Sequence, residues 1–268
     1  MAIPTPISFW NFDESSGNAV DALGVNTLTN NNTATFVTGL IGNAADLESG
    51  SSQSFSIADA SQTGLDFSGD CSFAGWVNLE SLGSTNVLFA KTNGNGQRAY
   101  IIRLTDDGGT SKLNVECFAG GTTANRRTAT TNSAVVSSTG VWTHLVATFD
   151  IDTGVWVIYK DGSSVAVTTN NAGTVASIYD TASDFQVGAA NYLGTPEQFM
   201  DGKIDMFGVW NVTLSSTDAS DLYNAGAGIQ YPFVPATSIK TVDDLAKASV
   251  KTVDQLAIAS VKTINGLA

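Results

Sequence analysis

Trp142-Thr143-His144-Leu145-Val146-Ala147-Thr148-Phe149-Asp150, running on to Trp156-Val157-Ile158-Tyr159, Asp161-Gly162 and Val165-Ala166-Val167, is the stretch that decides the fold. From Thr143 to Phe149 the side chains divide with a period of two, which puts Leu145, Ala147 and Phe149 on one face, the pattern of a β-strand with one covered side. Asp161-Gly162 then closes a hairpin between two apolar runs. A two-residue turn of that kind needs positive φ at both central positions, and Asp-Gly tolerates it.

The same pattern recurs outward along the chain. Ser72-Phe73-Ala74-Gly75-Trp76-Val77, Ala99-Tyr100-Ile101-Ile102-Arg103-Leu104 and Lys112-Leu113-Asn114-Val115-Glu116-Cys117 read as further strands, separated by turn signals at Asn93-Gly94-Asn95-Gly96 and Asp107-Gly108-Gly109. With 268 residues, 43% hydrophobic content and 26 glycines, the chain suits one large all-β domain of two antiparallel sheets. One helix is predicted, over 215–225, where Ser215 caps the first turn, Asp218 stands three residues on and Gly226 stops it.

Pro232 and Pro235 mark a boundary, giving a sandwich over 1–231, a linker over 232–237 and a tail over 238–268. The tail repeats with a strict period of eleven: Ser238-Ile-Lys-Thr-Val-Asp-Asp-Leu-Ala-Lys-Ala248, then Ser249 to Ala259, then Ser260 to Ala268. As a continuous helix it would present Ile239, Val242 and Leu245, then Val250, Val253 and Leu256, then Val261, Ile264 and Leu267, as one slowly winding stripe. As segments, Thr241 with Asp244 and Thr252 with Gln255 would cap a short helix in each repeat. Either way three short repeats bury too little alone, so these nine residues are expected to dock on a partner or on another copy of the chain.

Twelve basic against 25 acidic residues leave a net charge of −13, which repels nucleic acid and anionic membranes. No nucleic-acid partner is expected. No run of about 18 apolar residues occurs, so no membrane insertion is expected either. The opening MAIPTPISFWNFDESSG lacks the basic and apolar regions of a secretory signal, and the expectation is that this chain is not exported by the usual route. Cys71 and Cys117 fall in predicted strands and read as buried small hydrophobes.

Four blocks resemble the laminin-G-like jelly rolls of the concanavalin A-like lectin and glucanase superfamily. They are Phe9-Trp10-Asn11-Phe12-Asp13-Glu14-Ser15-Ser16-Gly17 with Asp21, Gly24 and Gly39-Leu40-Ile41-Gly42-Asn43-Ala44; Phe73 to Val77; Trp142 to Asp150 with Val157 to Gly162; and Met200-Asp201-Gly202-Lys203-Ile204-Asp205-Met206-Phe207-Gly208-Val209-Trp210-Asn211. The blocks fall in order. The resemblance implies a two-sheet jelly-roll sandwich with one short terminal helix. It departs from the family pattern at Met206 and Gly208, where Glu and Arg are common.

The resemblance also implies a Ca²⁺ tying the N-terminal loop to the last strand, with Asp13, Asp21 and Asp205 at the matching positions. Hard cations take such oxygen ligands. The alternative stays open that Asp13 and Asp21 cap turns while Asp205 pairs with a nearby donor. Asp106-Asp107-Gly108-Gly109 reads as a hairpin tip. The superfamily's glucanases need a Glu-x-Asp-x-x-Glu strand; the five glutamates (Glu14, Glu48, Glu80, Glu116, Glu197) are too far apart in sequence to form one. His144, the sole histidine, reads as packing with a hydrogen bond. No enzymatic activity is expected.

Sugar binding needs exposed aromatics beside amides, and Tyr179, Tyr192 and the loop with Asn93 and Asn95 fit that description. All five tryptophans lie in strand patterns and read as core. Three functions compete. The leading reading is a virion structural or adhesion protein, of head-decoration or fibre type. Its tail repeat resembles short termini of phage structural proteins, and virion proteins assemble in the host cytoplasm without an export signal. Its expected partners are other virion proteins or further copies of itself. The alternatives are an extracellular or cell-surface carbohydrate-binding module, with a cell-surface glycan as partner, and a degenerate glycosidase.

Overall fold

The computed structural model describes residues 3–94 and 96–233; Asn95 and the repeated tail lie outside the described residues. In chain order the strands are β1 (Ser8–Trp10), β2 (Thr29–Asn31), β3 (Thr35–Thr38), β4 (Asn43–Leu47), β5 (Ser54–Ile57), β6 (Cys71–Leu79), β7 (Asn86–Thr92), β8 (Arg98–Asp106), β9 (Ser111–Phe118), β10 (Arg126–Thr131), β11 (Thr143–Asp150), β12 (Val155–Lys160), β13 (Ser163–Val165), β14 (Val167–Thr169), β15 (Phe185–Val187), β16 (Ala190–Tyr192), β17 (Thr195–Glu197) and β18 (Gly202–Trp210). The first sheet runs β13-β12-β11-β6-β18-β4-β3, with β1 also on β18; the second runs β14-β10-β9-β8-β7-β15-β5-β2. All of the pairings are antiparallel. β16 and β17 form a separate hairpin.

Alternation places one face of each strand between the sheets, where an aromatic network fills the core. Phe89 stacks on Phe207 at 4.6 Å, Trp10 stacks on Phe185 at 5.6 Å, and Phe73 tilts against Tyr100 at 5.1 Å. Such pairs add to the area they bury. Gly75 is required here, because a Cβ at that position would sit 2.0 Å from the Phe207 ring. Cys71 and Cys117 are buried free thiols, and burial pushes the first well above its usual range and the second up to about 12.

The expectation of one covered face fails for the central strands. β6 is buried at every position and β18 at all but Lys203. A second apolar cluster covers the outer face of the first sheet: Phe9, Trp76, Val146, Tyr159, Met206 and Trp210 pack under Leu214, Ala219 and Leu222, with Tyr231 and Phe233 against them. The lid is the helix α1 (Ser216–Tyr223) and the segment after it. Ser215 caps α1 in a reciprocal capping box with Asp218, and Asn224 ends it in a left-handed conformation. The compact unit accordingly runs to Phe233, whose ring meets Phe9 edge-on at 5.3 Å.

A second difference lies at Val165-Ala166-Val167. Val165 pairs in the first sheet and Val167 in the second, so the chain changes sheets at Ala166, whose carbonyl accepts from the Asn132 amide at 2.9 Å. Period alone cannot show that. Of the tryptophans, Trp10, Trp76, Trp156 and Trp210 are buried in the core; Trp142 is only partly covered.

His144 is buried with its ring near Trp76 at 5.1 Å and Tyr223 at 6.1 Å, while its backbone N–H donates to Asp161 Oδ1. The expected side-chain hydrogen bond is not made at Nδ1, which has no partner. Burial pushes the imidazole down to about 3. An unfolded histidine titrates near ~6.5, so below that pH the unfolded chain binds a proton that the native site refuses, and stability falls as pH falls. We expect His144→Phe to gain stability relative to wild type as thermal unfolding is moved from pH 7 to pH 4. A difference in melting temperature that stays constant with pH would remove His144 as the cause.

Candidate functional site

Two features of the fold hold polar groups in ways that packing alone does not require. The first is the turn at Gly39-Leu40-Ile41-Gly42. β18 pairs with β4 through Ile204 and with β1 from Phe207, and a bulge between Asp205 and Gly208 marks the exchange. Met206 sits there at φ 51°, a costly conformation for such a side chain. Asp205, fully buried, accepts at Oδ2 from the Leu40 and Ile41 amides at 2.9 and 3.3 Å. Its Oδ1 has no partner. Burial pushes this carboxyl up to about 7, opposed by those amides and reinforced by the charge of Asp13.

Asp13, exposed in the segment after β1, lies against the same turn. It accepts the Asn43 amide at Oδ1 (2.9 Å) and Gln230 Nε2 at Oδ2 (2.6 Å). Asp21, the third expected ligand, is placed differently. Oδ1 accepts from the Phe9 and Leu23 amides and Oδ2 from those of Val25 and Asn26, at 2.9 to 3.3 Å. Four amides account for both of its oxygens. Asp13, Asp21 and Asp205 are not brought within 4.8 Å of one another; among the described residues the acidic group that meets this is Asp46, Glu48 and Glu80. Lys203 is bonded to Glu80 and lies 3.8 Å from Asp46, an ion-paired latch that ties β18 to β4 and to the residue that follows β6.

The second feature is on the outer face of the second sheet. Alternation that sends Phe55, Ile57, Phe185 and Val187 into the core turns Ser54, Ser56 and Gln186 outward, and the register sets Gln186 opposite Ser56 and Asn31 opposite Ser54. The β16–β17 hairpin rises beside them. Between lies a groove of about 460 Å³ lined by these residues and by Asp184, Asn191 and Phe199. Asn31 Nδ2 donates to Ser56 Oγ at 2.9 Å and Ser54 Oγ at 3.3 Å. Gln186, only 4% exposed, has an Oε1 with no partner. A buried acceptor left unpaired costs free energy until a donor arrives.

The hairpin tip is tied to the loop flagged in the sequence. Asn93 accepts the Leu193 amide at its carbonyl (3.2 Å) and the Gly194 amide at Oδ1 (2.5 Å). Tyr192 lies against Gly94, where an added Cβ would be 3.1 Å from the ring, and Tyr179 flanks the other side through Gly121 and Gly96. So Asn93, Tyr179 and Tyr192 meet around one loop, with Tyr192 47% exposed; Asn95 falls outside the described residues. The sequence reading missed Gln186, Ser54, Ser56, Asn31, Asn191 and Phe199. Their only signal is ordinary alternation, as in Ser54-Phe55-Ser56, which any solvated strand shows.

A family model described as the Concanavalin A-like lectin/glucanases superfamily matches residues 49–220. Domain 4 of an extracellular arabinanase from Geobacillus stearothermophilus, solved in complex with arabinotriose, is 21% identical, with a TM-score of 0.58 over 81% of this chain and 97% of that one. The binding domain of botulinum neurotoxin serotype G is 14% identical (TM-score 0.58, 83% of this chain, 51% of that one). Trypanosoma rangeli sialidase is 16% identical (TM-score 0.57, 85% and 34%). At these identities the likeness is one of fold. No curated protein matches the sequence, and no helix of the described residues is long and apolar enough to cross a membrane.

The Asp21 bonds make a prediction. Asp21→Ala strips the partners from four amides, each costing about 1 kcal/mol or more where buried, so urea unfolding should show a loss of about 3 kcal/mol. The loss should be the same in calcium and in chelator; a loss confined to calcium buffer would make Asp21 a ligand after all.

Proposed function

The chain belongs to the concanavalin A-like lectin/glucanase superfamily, and from that premise we propose that its sandwich is a non-catalytic carbohydrate-binding module that works through the outer face of the second sheet. The observation that carries this reading is the groove beside the β16–β17 hairpin, where amides and hydroxyls converge around an unpaired buried acceptor and an aromatic ring. Sites that hold sugars combine those elements. The arabinotriose complex of a domain with the same fold supports it. Hydrolysis of a glycosidic bond uses two carboxyl groups flanking it, whereas among the described residues Asp184 is the one carboxylate lining the groove. A glycan array followed by calorimetry should find an oligosaccharide bound with Kd of about 0.1 mM, roughly 5.5 kcal/mol, with no reducing ends released. Turnover of the bound glycan would overturn the non-catalytic part.

Calcium at the Asp205 turn belongs to the same reading. The residues fit a hard cation on one observation: Asp205 Oδ1 is buried and unpaired. Asp205 and Asp13 would hold the ion, which would supply the positive charge that this buried carboxylate lacks. An ion bound to the folded state alone raises stability by mass action. The melting temperature of wild type should rise in 2 mM CaCl2 over EDTA, and that of Asp205→Asn should not. Equal responses would take the ion away from this turn.

The tail supports a finer placement, in a virion, as a head-decoration or fibre protein whose sandwich faces outward. Its support is the eleven-residue repeat over 238–268, with Ile239, Val242 and Leu245 and their copies as the anchoring stripe. The rival placement is extracellular or at a cell surface. A chain cut after Phe233 should fail to incorporate into particles that take up the full chain. Equal incorporation would retire the virion anchor.

A further inference from the structure

Resting on the reading of the groove as a sugar site, we infer that it selects neutral glycans and rejects acidic or sulfated ones. The charge around it is one-sided. Among the described residues no lysine, arginine or histidine lines the groove, and the single ionisable group there is Asp184, for which no ion pair or hydrogen bond is formed. Of the basic side chains on the same sheet, Lys91 pairs with Asp59 and Asp66, Arg103 with Glu116 and Lys112 with Asp107, Arg126 and Arg127 donate to backbone carbonyls, and Arg98 lies over the Phe118 ring, outside the groove lining. The chain as a whole carries −13. A ligand carboxylate or sulfate entering beside Asp184 would lose water and meet a like charge with no cation to answer it.

The uncharged groups suit a hydroxylated ligand instead. Gln186 Oε1 needs a donor and can take nothing but one. The Ser54 and Ser56 oxygens already accept from Asn31, which frees their hydroxyl protons to be donated. A sugar diol both donates and accepts, so neighbouring hydroxyls can satisfy Gln186 and the serines together, with Asp184 accepting a further one. Phe199 supplies a ring for the apolar face of a pyranose. Salt would weaken the rejection of anions, since Asp184 is partly exposed.

Calorimetry on the full chain at low salt, with xylohexaose, cellohexaose and arabinohexaose as neutral probes and hexagalacturonate as the acidic one, tests this. The expected result is binding of at least one neutral hexaose, with hexagalacturonate at least tenfold weaker. Asp184→Lys should narrow that gap by tenfold or more. Gln186→Leu should weaken the neutral ligand at least tenfold while leaving the melting temperature equal to or above wild type, because it removes an unpaired buried oxygen. Hexagalacturonate bound as tightly as the neutral probes would overturn the selectivity. Binding untouched by Gln186→Leu would move the sugar away from this groove. Binding of no probe and no array glycan would instead overturn the carbohydrate reading on which the inference rests.

Discussion

Strand β18 is buried on both faces, and that constraint organises the molecule. Apart from Lys203, its polar groups lie out of reach of water, so each is answered from within the protein or left unpaired at a cost. Asp205 makes the demand acute. Its carboxylate faces the place where β18 loses β4 as a partner and gains β1, and the two amides it accepts come from the turn that leads into β4. Thus the last strand holds the N-terminal third of the chain in register. Asp21 does the same work for β1, receiving the Phe9 amide together with those of its own loop. Two buried carboxylates far apart in sequence therefore fix the segment that closes the sandwich.

Covering the first sheet with α1 and the residues up to Phe233 has a consequence for the second. Among the described residues the outer face of the second sheet is covered only in part: β7 and β15 are buried at every position, while the side that lines the groove is polar. Its apolar content is the small cluster of Val87, Ala90, Ile101, Phe118 and Ala190, close to where the β16–β17 hairpin rises. An open face with hydroxyls and amides in fixed register is cheap to solvate when empty and ready to exchange water for ligand hydroxyls. The asymmetry between the faces, more than any single residue, directs binding to this side.

Local signals carried much of this fold into the sequence. Alternation marks β6, β8, β9 and β11, Asp161-Gly162 marks a turn with both residues at positive φ, and Ser215 with Asp218 marks the start of α1, because strands, hairpins and caps are each specified within a few neighbouring residues. The parts that were illegible depend on tertiary context. Nothing in Val165-Ala166-Val167 announces a change of sheet, and nothing local says that β6 will be covered twice. The groove draws on residues 31, 54, 56 and 184–199, which meet only after β15 has inserted between β7 and β5. Asp13, Asp21 and Asp205 illustrate the opposite hazard. Each stands where the family pattern puts an acid, yet four amides engage Asp21, and position in a motif does not reveal who takes up an oxygen's lone pairs. Asp46 and Glu80 meet at Lys203 although no spacing connects them.

The β16–β17 hairpin shows how this chain builds a recognition surface from a strained element. Its turn sets Leu193 at φ 53° and Gly194 at φ 84°, the two-residue form that matches strand twist. Leucine at the first of those positions costs more than asparagine or glycine would, and the side chain is 56% exposed, beside the exposed Tyr192. Packing does not repay that cost, so the strain must be held from outside. Asn93 holds it, with one bond to each turn residue's amide, and Tyr192 rests against Gly94, which has no side chain to push it away. A wall fixed before any ligand arrives spares the complex the entropy of ordering it. In that sense Asn93, read in the sequence as a sugar contact, acts in the structure as a positioning residue for the hairpin that lines the groove.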